Sequence, residues 1–300
     1  MSEPVTSPGL SFGAVADSYH RGRPAYPLEA AAWLVGEEPV SVLELGAGTG
    51  KLTAALVELG HDVHATDPDE AMLAVLQGTL PDVRTSVATA ERIPAPDMTY
   101  DVVVAGQAFH WFDPAVAVPE IARVLKPGGT VALAWNQRDE SIPWVRRLGG
   151  LIGKRIESID PTEQLEESGN FVAVESATFT FWQRIDQHSI VDLVLSRSNL
   201  AGLSDAEREA KRTEVLAFYD DYGRGMDGMQ LPYRCHCFRA TVTNQLPVRP
   251  PVPAQPVGTT VISASVAAGL TDTAERLPAI LEGVRDGSSD DTGMLLINFR

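Results

Sequence analysis

The chain has 300 residues, which is long enough for one large domain or two small ones. It is 44% hydrophobic and 21% charged, as globular proteins are, but its formal net charge is -16. An acidic surface repels phosphate backbones and no basic patch offsets it, so we expect no nucleic-acid partner. Residues 1–10 lack a signal-peptide pattern, and no apolar run approaches the roughly 20 residues of a membrane span. These features favour a cytoplasmic protein that does not enter a membrane.

The two cysteines, Cys235 and Cys237, flank His236. Neighbours this close do not form a normal structural disulfide, and two cysteines with one histidine do not make a metal framework. We therefore expect buried free thiols on a strand, and no metal site.

Residues 39–135 alternate short apolar runs with helical patterns, which predicts a doubly wound α/β sheet. Strands are predicted at residues 41–45, 62–66, 83–87, 101–105 and 130–135. Helices are predicted at residues 51–59, 69–77 and 114–125, with a turn at 126–129. Asp69 is placed to cap the second of these helices.

The pattern changes after residue 135. Helices are predicted at residues 142–156, 189–195 and 205–219, and alternating strands at 172–185 and 233–242. The two alternating strands are expected to pair antiparallel at one edge of the sheet. The expected fold is thus a Rossmann-like, mostly parallel sheet of seven strands with an antiparallel edge.

A proline-rich run predicts a linker at residues 246–257. It separates a main domain, residues 39–245, from an appendage at residues 258–300 whose role is not readable. Residues 1–38 form an N-terminal segment ahead of the first strand.

The first predicted strand runs into the loop Glu44-Leu45-Gly46-Ala47-Gly48-Thr49-Gly50, which precedes a helix. Its glycines let a ligand approach the backbone and leave amides at the helix N-terminus free to bind it. A Walker A loop is excluded, because Leu45 stands where its first glycine belongs and Leu52 follows Lys51. A dinucleotide-binding loop fits poorly, since the third glycine comes one residue early. The loop therefore indicates a nucleotide-like ligand of another kind.

Two carboxylates further restrict the chemical class of the ligand. Glu44 would repel a pyrophosphate, but it suits a ligand that carries an amine and a sulfonium cation. Asp67 follows the second strand, about 20 residues after the loop, where a carboxylate can accept hydrogen bonds from ribose hydroxyls. A plain helix cap is the alternative role for Asp67.

These residues resemble the motif series of class I S-adenosylmethionine-dependent methyltransferases. Two more stretches belong to that series: Ala90-Glu91-Arg92-Ile93-Pro94 and Leu125-Lys126-Pro127-Gly128-Gly129. Two others are similar to the subgroup that includes trans-aconitate methyltransferase: Phe12-x3-Ala16-x2-Tyr19-x3-Arg23-Pro24-x-Tyr26-Pro27 and Gln107-Ala108-Phe109-His110-Trp111-Phe112-Asp113. The resemblance implies S-adenosylmethionine as cofactor and a small-molecule methyl acceptor.

The resemblance also implies a role for each motif residue. Gly46, Ala47 and Gly48 would line the methionine part of the cofactor, and Asp67 would hold its ribose. Gln107, after the fourth strand, would lie near the amino-acid end of the cofactor.

The remaining motif residues are assigned to the edges of the site. Pro68 would pack on the adenine, with Ala90 and Glu91 at its rim. Tyr19 and Arg23 would fold over the site as part of an N-terminal helical lid and contact the cofactor carboxylate. Simple helix packing is the alternative for Tyr19.

His110 and Trp111 are the candidate catalytic residues. For a hydroxyl or amine acceptor, His110 is a candidate general base, because histidine titrates near neutral pH. For a carboxylate acceptor no base is needed, and His110 would orient the substrate or pack, which is the role we favour. Trp111 would offer an aromatic face to the sulfonium, an interaction worth about 0.5–2 kcal/mol.

The preferred function is O-methylation of a carboxylate or hydroxyl on a small molecule, by a monomer or homodimer. Methylation at nitrogen or carbon is an alternative. A non-catalytic S-adenosylmethionine-binding protein and a dinucleotide-dependent oxidoreductase are further alternatives of other classes.

Overall fold

The computed structural model describes residues 20–153, 160–195, 204–222 and 228–243. The seven strands are β1 (Ser41–Leu45), β2 (Asp62–Asp67), β3 (Arg84–Val87), β4 (Tyr100–Gly106), β5 (Leu125–Arg138), β6 (Phe171–Ile185) and β7 (Met229–Val242). The helices are α1 (Leu28–Val35), α2 (Lys51–Glu58), α3 (Glu70–Thr79), α4 (Pro114–Val124), α5 (Pro143–Ile152), α6 (Thr162–Glu167), α7 (Gln187–Leu195) and α8 (Asp205–Tyr222).

The strands form one sheet in the order β3-β2-β1-β4-β5-β7-β6. Strands β1 to β5 pair in parallel, whereas β7 pairs antiparallel with both β5 and β6. This arrangement confirms the Rossmann-like sheet with an antiparallel edge. Tyr19, the linker and the appendage lie outside the described residues, so the N-terminal lid remains a prediction.

Apolar side chains cover both faces of the sheet. Residues of α1 and α2 pack on one face of the central strands, and residues of α4 pack on the other. A further apolar cluster joins α5, α7 and α8 to the neighbouring ends of β6 and β7. The helices thus leave the carboxyl ends of the parallel strands as the place where polar loops converge.

Local signals in the sequence set several of these boundaries. Asp69 caps α3 as predicted, with its carboxylate accepting from the amides of Ala71 at 2.9 Å and Met72 at 3.4 Å. The helix predicted to reach residue 156 ends at Ile152 instead, since Gly153 adopts a positive φ of 101°. Residues 154–156 lie outside the described part of the chain.

The turn predicted at residues 126–129 is wrong, because these residues belong to β5. Tyr100 pairs with Leu125, and the register with β4 then shifts before Val102 pairs with Thr130. Gly128, with φ of 79°, provides the backbone freedom for this irregularity within the strand.

The two cysteines on β7 agree with the sequence prediction. Cys235 and Cys237 are free and fully buried, with their sulfur atoms 3.6 Å apart on one face of the strand. They pack among the apolar residues between the sheet and α1.

Candidate functional site

A pocket opens at the carboxyl ends of β1 and β4, where the sheet reverses its strand order. From β1 the chain runs outward through β2 and β3, and β4 then returns to the other side of β1. Ligands bind at such reversals in open α/β sheets, because the loops on either side diverge and leave a crevice. Six predicted cofactor-binding residues line this pocket: Arg23, Glu44, Gly46, Ala47, Gly48 and Gln107.

The glycine loop is held in a conformation that ordinary residues avoid. Gly46 has φ of 67°, and a Cβ atom added to it would lie only 2.5 Å from the Cβ of Ala108. Gly48 has φ of 55°, and a Cβ added there would meet nothing within 4 Å. Gly46 therefore permits close packing inside the fold, whereas Gly48 leaves open space in the pocket for a ligand.

Glu44 is the buried carboxyl of the loop. It is 2% exposed, and one carboxyl oxygen accepts a hydrogen bond of 2.6 Å from the Thr53 hydroxyl on α2. Burial raises the pKa of Glu44 to about 8, although the Thr53 bond opposes the shift. At neutral pH this carboxyl is mostly protonated unless a cation comes beside it.

Asp67 ends β2 and reaches back to the loop. Its Oδ2 accepts from the Gly48 amide at 2.8 Å, and its Oδ1 accepts from the Asp69 amide at 2.9 Å. Burial raises the pKa of Asp67, and these two amide bonds oppose the shift. Asp67 thus fixes the loop geometry, and each carboxylate oxygen keeps a lone pair for a ligand hydroxyl. It does not cap α3, which removes the alternative considered for it.

Gln107 follows β4 with a positive φ of 58°, which is uncommon outside glycine. Its amide donates to the Ala134 carbonyl at 2.8 Å, and its Nε2 donates to the Asn136 carbonyl at 2.7 Å. These bonds tie the end of β4 to the end of β5 and hold Gln107 at the pocket wall.

The segment at residues 20–26 contributes Arg23, Pro24 and Tyr26 to the pocket wall and is anchored on several elements. The Arg21 guanidinium pairs with Asp192 on α7 at 2.7 Å, and the Ala25 carbonyl accepts from Asn136 Nδ2 at 3.3 Å. Gly22 packs against α7 so closely that an added Cβ would lie 2.6 Å from the Asp192 backbone. The anchored segment places Arg23 at the pocket wall, as the resemblance implies.

Lys51 also lines the pocket, although the sequence did not predict it as a site residue. It opens α2, and its Nζ lies 3.5 Å from Nε2 of His20. Burial lowers the pKa of Lys51, which enlarges the neutral fraction of its amine. In the sequence, the position of Lys51 directly after the glycine loop was the sign that it could belong to the site.

Tyr26, which the sequence named only within a motif, and Asn136 and Tyr233, which come from distant strands, were not assigned to the site. Tyr26 is buried, and a Cβ added to Gly106 would lie 2.6 Å from its hydroxyl. Asn136 and Tyr233 contribute from β5 and β7. A polar residue just beyond the predicted fifth strand was the only signal for Asn136, and Tyr233 had none. Tyr26, Asn136, Tyr233 and residues 23–24 form the far wall of the pocket, opposite the loop wall of Glu44, Gly46, Ala47, Gly48 and Thr49.

The adenine-side residues are not part of the pocket lining. Pro68 is exposed at the end of β2, where an adenine could stack on it. Ala90 is buried in the core at 4% exposure, and the Glu91 carboxylate accepts from the Asp113 amide at 2.9 Å. In the structure Ala90 thus packs in the core, and Glu91 binds the backbone at Asp113.

His110 and Trp111 lie in a 3-10 turn after β4, outside the residues that line the pocket. The indole N–H of Trp135 donates to Nδ1 of His110 at 3.4 Å. Because an indole nitrogen can only donate, Nδ1 must be unprotonated in this arrangement. Although His110 is exposed as a residue, partial desolvation of its ring lowers its pKa to about 4, which agrees with a neutral ring. Trp111 is 47% exposed.

Comparison with known proteins identifies the family. The model of a methyltransferase domain matches residues 43–133. An uncharacterized methyltransferase of Mycobacterium tuberculosis is 43% identical over 237 residues, which are 78% of this chain and 96% of that protein. Another from Schizosaccharomyces pombe is 34% identical over 216 residues, which are 69% of this chain and 86% of that protein. The chain belongs to the methyltransferase family.

A solved structure agrees with the fold of this methyltransferase. A protein from Anabaena variabilis, described as a methyltransferase of antibiotic biosynthesis, has a TM-score of 0.52 at 20% identity, covering 70% of this chain and 95% of that one. With the sheet order and the glycine loop, the family places the chain in class I, whose cofactor is S-adenosylmethionine. This excludes the dinucleotide-dependent oxidoreductase. The narrower likeness to the trans-aconitate subgroup stays a prediction.

The pocket of the methyltransferase fits this cofactor chemically. The amino-acid end of S-adenosylmethionine carries one carboxylate and one ammonium group, and the pocket offers two cations, Arg23 and Lys51, with one carboxyl, Glu44. The hydroxyl of Thr49 is buried in the pocket and makes no hydrogen bond among the described residues. A polar ligand would satisfy this hydroxyl, as buried polar groups require.

Two further observations concern the described residues alone. No helix among them is long and apolar enough to cross a membrane. Their His, Cys, Asp and Glu side chains form no group of three or more that could hold a metal ion.

Proposed function

We propose that the methyltransferase transfers a methyl group to an oxygen, a carboxylate or a hydroxyl, of a small molecule. The observation that carries this proposal is the charge of the pocket. At neutral pH its ionisable lining consists of the cations Arg23 and Lys51 and the mostly protonated Glu44. In a chain of net charge -16, a pocket that concentrates positive charge suits anionic oxygen atoms.

A small acceptor is supported by the segment over the pocket. Residues 20–26 are fastened to α7 by the Arg21–Asp192 ion pair and to β5 by the Asn136–Ala25 bond. A macromolecular acceptor would have to displace these contacts to insert its nucleophile. The acidic surface also disfavours a nucleic acid acceptor.

In this proposal the loop wall and Arg23 hold the cofactor. Arg23 binds the cofactor carboxylate, Glu44 faces its cationic groups, and Asp67 accepts from the ribose hydroxyls through its remaining lone pairs. When bound, S-adenosylmethionine supplies an electrophilic methyl group, and the sulfur keeps the electron pair of the broken carbon–sulfur bond as the acceptor oxygen bonds to that carbon. The protein aligns the two reactants and excludes water, and alignment alone can lower the barrier by about 7–11 kcal/mol.

Lys51 would act according to the acceptor. With a carboxylate acceptor, its ammonium form binds the nucleophilic oxygen and no proton moves. With a hydroxyl acceptor, its neutral amine, favoured by the lowered pKa, takes the hydroxyl proton. In this proposal His110 does not accept a proton, because Nδ1 already accepts from Trp135 and Nε2 carries the ring hydrogen.

Screening carboxylic acids, alcohols, phenols and amines for S-adenosylhomocysteine release tests the proposal. We expect turnover with an oxygen acceptor and a loss of about tenfold or more in Lys51→Gln, the scale of losing one charge-assisted hydrogen bond. Lys51→Arg would keep activity on a carboxylate and lose it on a hydroxyl, since arginine stays charged. Lys211→Gln, at an exposed ion pair on α8, is the matched control.

Exclusive turnover of amines or carbon nucleophiles would contradict O-methylation. Tight S-adenosylhomocysteine binding without turnover of any class would point instead to the non-catalytic cofactor-binding protein.

A further inference from the structure

Asn136 stands out among the polar groups of the pocket. It lies near the carboxyl end of β5 and lines the pocket, yet it is only 8% exposed. Its carboxamide oxygen, Oδ1, is buried and makes no hydrogen bond with any described residue. A buried acceptor without a partner is costly to a fold, so such a group calls for an explanation.

The orientation of the carboxamide follows from its other contacts. Its Nδ2 donates to the Ala25 carbonyl at 3.3 Å, and its own backbone carbonyl accepts from Gln107 Nε2 at 2.7 Å. Exchanging the amide nitrogen and oxygen would set two acceptors, Oδ1 and the Ala25 oxygen, against each other. The arrangement therefore keeps Oδ1 as the free end of the side chain.

An amide oxygen accepts hydrogen bonds and cannot donate them. The group that satisfies Oδ1 must therefore carry an O–H or an N–H. A carboxylate acceptor has neither at neutral pH, and its negative charge would be repelled by the partial negative charge of Oδ1. A hydroxyl, an amine and the cofactor ammonium all qualify.

The position of Asn136 in the sheet distinguishes the methyl acceptor from the cofactor ammonium as the donor to Oδ1. The cofactor is expected to lie along β2 and β1, with its ribose at Asp67 and its amino-acid end at the loop. Strand β5 is two strands beyond β1, which is about 10 Å at the usual spacing of ~4.8 Å. Asn136 thus lies beyond the loop-bound cofactor in the direction away from the ribose, on the side where the methyl acceptor would enter.

We infer that Asn136 recognises the methyl acceptor, and that this acceptor, methylated at oxygen as proposed above, is a hydroxyl compound that donates its O–H to Oδ1. The inference rests on the proposed function and narrows its substrate class, because it disfavours a simple carboxylate. It also gives the side chain two tasks, since Nδ2 holds the segment over the pocket while Oδ1 selects the ligand.

Two variants separate those tasks. Asn136→Leu and Asn136→Asp both lose the Nδ2–H bond to Ala25, but only Asn136→Asp keeps an acceptor oxygen in place. A purely structural role would therefore cost Asn136→Asp at least as much as Asn136→Leu, because its second oxygen faces the Ala25 carbonyl, whereas recognition by Oδ1 would spare Asn136→Asp. Asn136→Ala replaces the leucine variant should the latter not fold, which circular dichroism would show.

The experiment uses the full chain, S-adenosylmethionine and sets of compounds that share one skeleton and bear a hydroxyl, an amine or a carboxylate. We expect turnover of the hydroxyl member. For that compound kcat/KM should fall about tenfold or more in Asn136→Leu and stay within about threefold of wild type in Asn136→Asp. Calorimetric S-adenosylhomocysteine affinity should stay within about twofold in both variants.

Several results would overturn the inference while leaving the proposed function intact. They are preferred turnover of the carboxylate member, a loss in Asn136→Asp at least as large as that in Asn136→Leu, and unchanged kcat/KM in Asn136→Leu. A loss of S-adenosylhomocysteine affinity in Asn136→Leu alone would assign Oδ1 to the cofactor ammonium instead. If wild type methylated no compound of any class, the proposed function and the inference would both fail.

Discussion

The two walls of the pocket are held together in opposite ways. In the loop wall, the Glu44 carboxyl accepts from Thr53 on α2, and the Gly48 amide donates to Asp67 at the end of β2. In the far wall, Asn136 ties β5 to a segment that precedes it by more than a hundred residues, and its oxygen has no partner among the described residues. The loop wall is thus a local unit that leaves the Thr49 hydroxyl for a ligand, whereas the far wall is assembled by the tertiary fold and leaves Oδ1 of Asn136 for one.

The largest expected effect concerns the buried carboxyl of the loop wall. Glu44 has its pKa raised to about 8, so its charged form is disfavoured in the folded protein. Stability from this group is therefore full below its ordinary pKa of 4.5 and falls as pH rises towards 8, by at most about 5 kcal/mol. Urea unfolding of wild type and Glu44→Gln between pH 5 and pH 8.5 measures the difference, since glutamine can still accept from Thr53.

A parallel pH dependence in both proteins would show that Glu44 is already ionised in the fold. Adding S-adenosylmethionine should reduce the difference, because its cationic groups stabilise the carboxylate.

The next effect tests the close packing of the loop. Gly46→Ala combines a positive φ with a Cβ clash against Ala108, and we expect about 2–5 kcal/mol of lost stability from strain and overpacking together. Gly60→Ala is the matched control, since Gly60 has φ of 88° and open space around its Cβ position. It should lose only the strain component, about 1–2 kcal/mol. Equal losses in chemical denaturation would show that contact with Ala108 contributes nothing.

A smaller effect is expected where the loop wall meets the ribose. Asp67→Ala removes the acceptor of the Gly48 amide and the proposed ribose ligand, which should weaken S-adenosylhomocysteine binding roughly 10- to 150-fold. Asp69→Ala, which loses only the cap of α3, should cost about 1 kcal/mol of stability. Calorimetry should find its cofactor affinity unchanged. An Asp67→Ala variant that bound S-adenosylhomocysteine like wild type would remove the ribose assignment.

The smallest effect is expected at His110, outside both walls. Because its pKa is lowered to about 4, the ring stays neutral from pH 5.5 to pH 8 and supplies no titration step in that range. His110→Gln should therefore change kcat/KM by less than about threefold at every pH in this window. If the pH profile of kcat/KM for wild type showed a titration near pH 6.5 that was absent in His110→Gln, His110 would instead be a general base.

The contrast between the walls also explains what the sequence could predict. The loop wall was found because its residues fall within one strand–loop–helix–strand stretch, where glycine spacing and a carboxylate at each strand end have direct physical meaning. The doubly wound, mostly parallel sheet followed from the same alternation of apolar runs and helical spacing. The antiparallel edge was predicted as well, from two strands with alternating polarity.

The far wall needed the tertiary structure. Asn136 and Tyr233 meet the segment at residues 23–26 only after β7 inserts beside β5, a pairing that no local pattern encodes. For His110 the sequence left two roles open, proton transfer and the favoured one of substrate orientation or packing. The Trp135 indole, 25 residues away, determines which ring nitrogen is occupied.

The buried thiols on β7 offer a way to observe the far wall in motion. Cys235 lies opposite Asn136 in the antiparallel ladder, and both it and Cys237 are inaccessible in the closed sheet. Burial and the neighbouring thiol raise the pKa of Cys235, so a thiol reagent can react only when this edge of the sheet opens. The rate at which a thiol reagent labels the two cysteines in the native protein therefore measures how often this part of the sheet opens. Slower labelling in the presence of an acceptor would report its binding at Asn136.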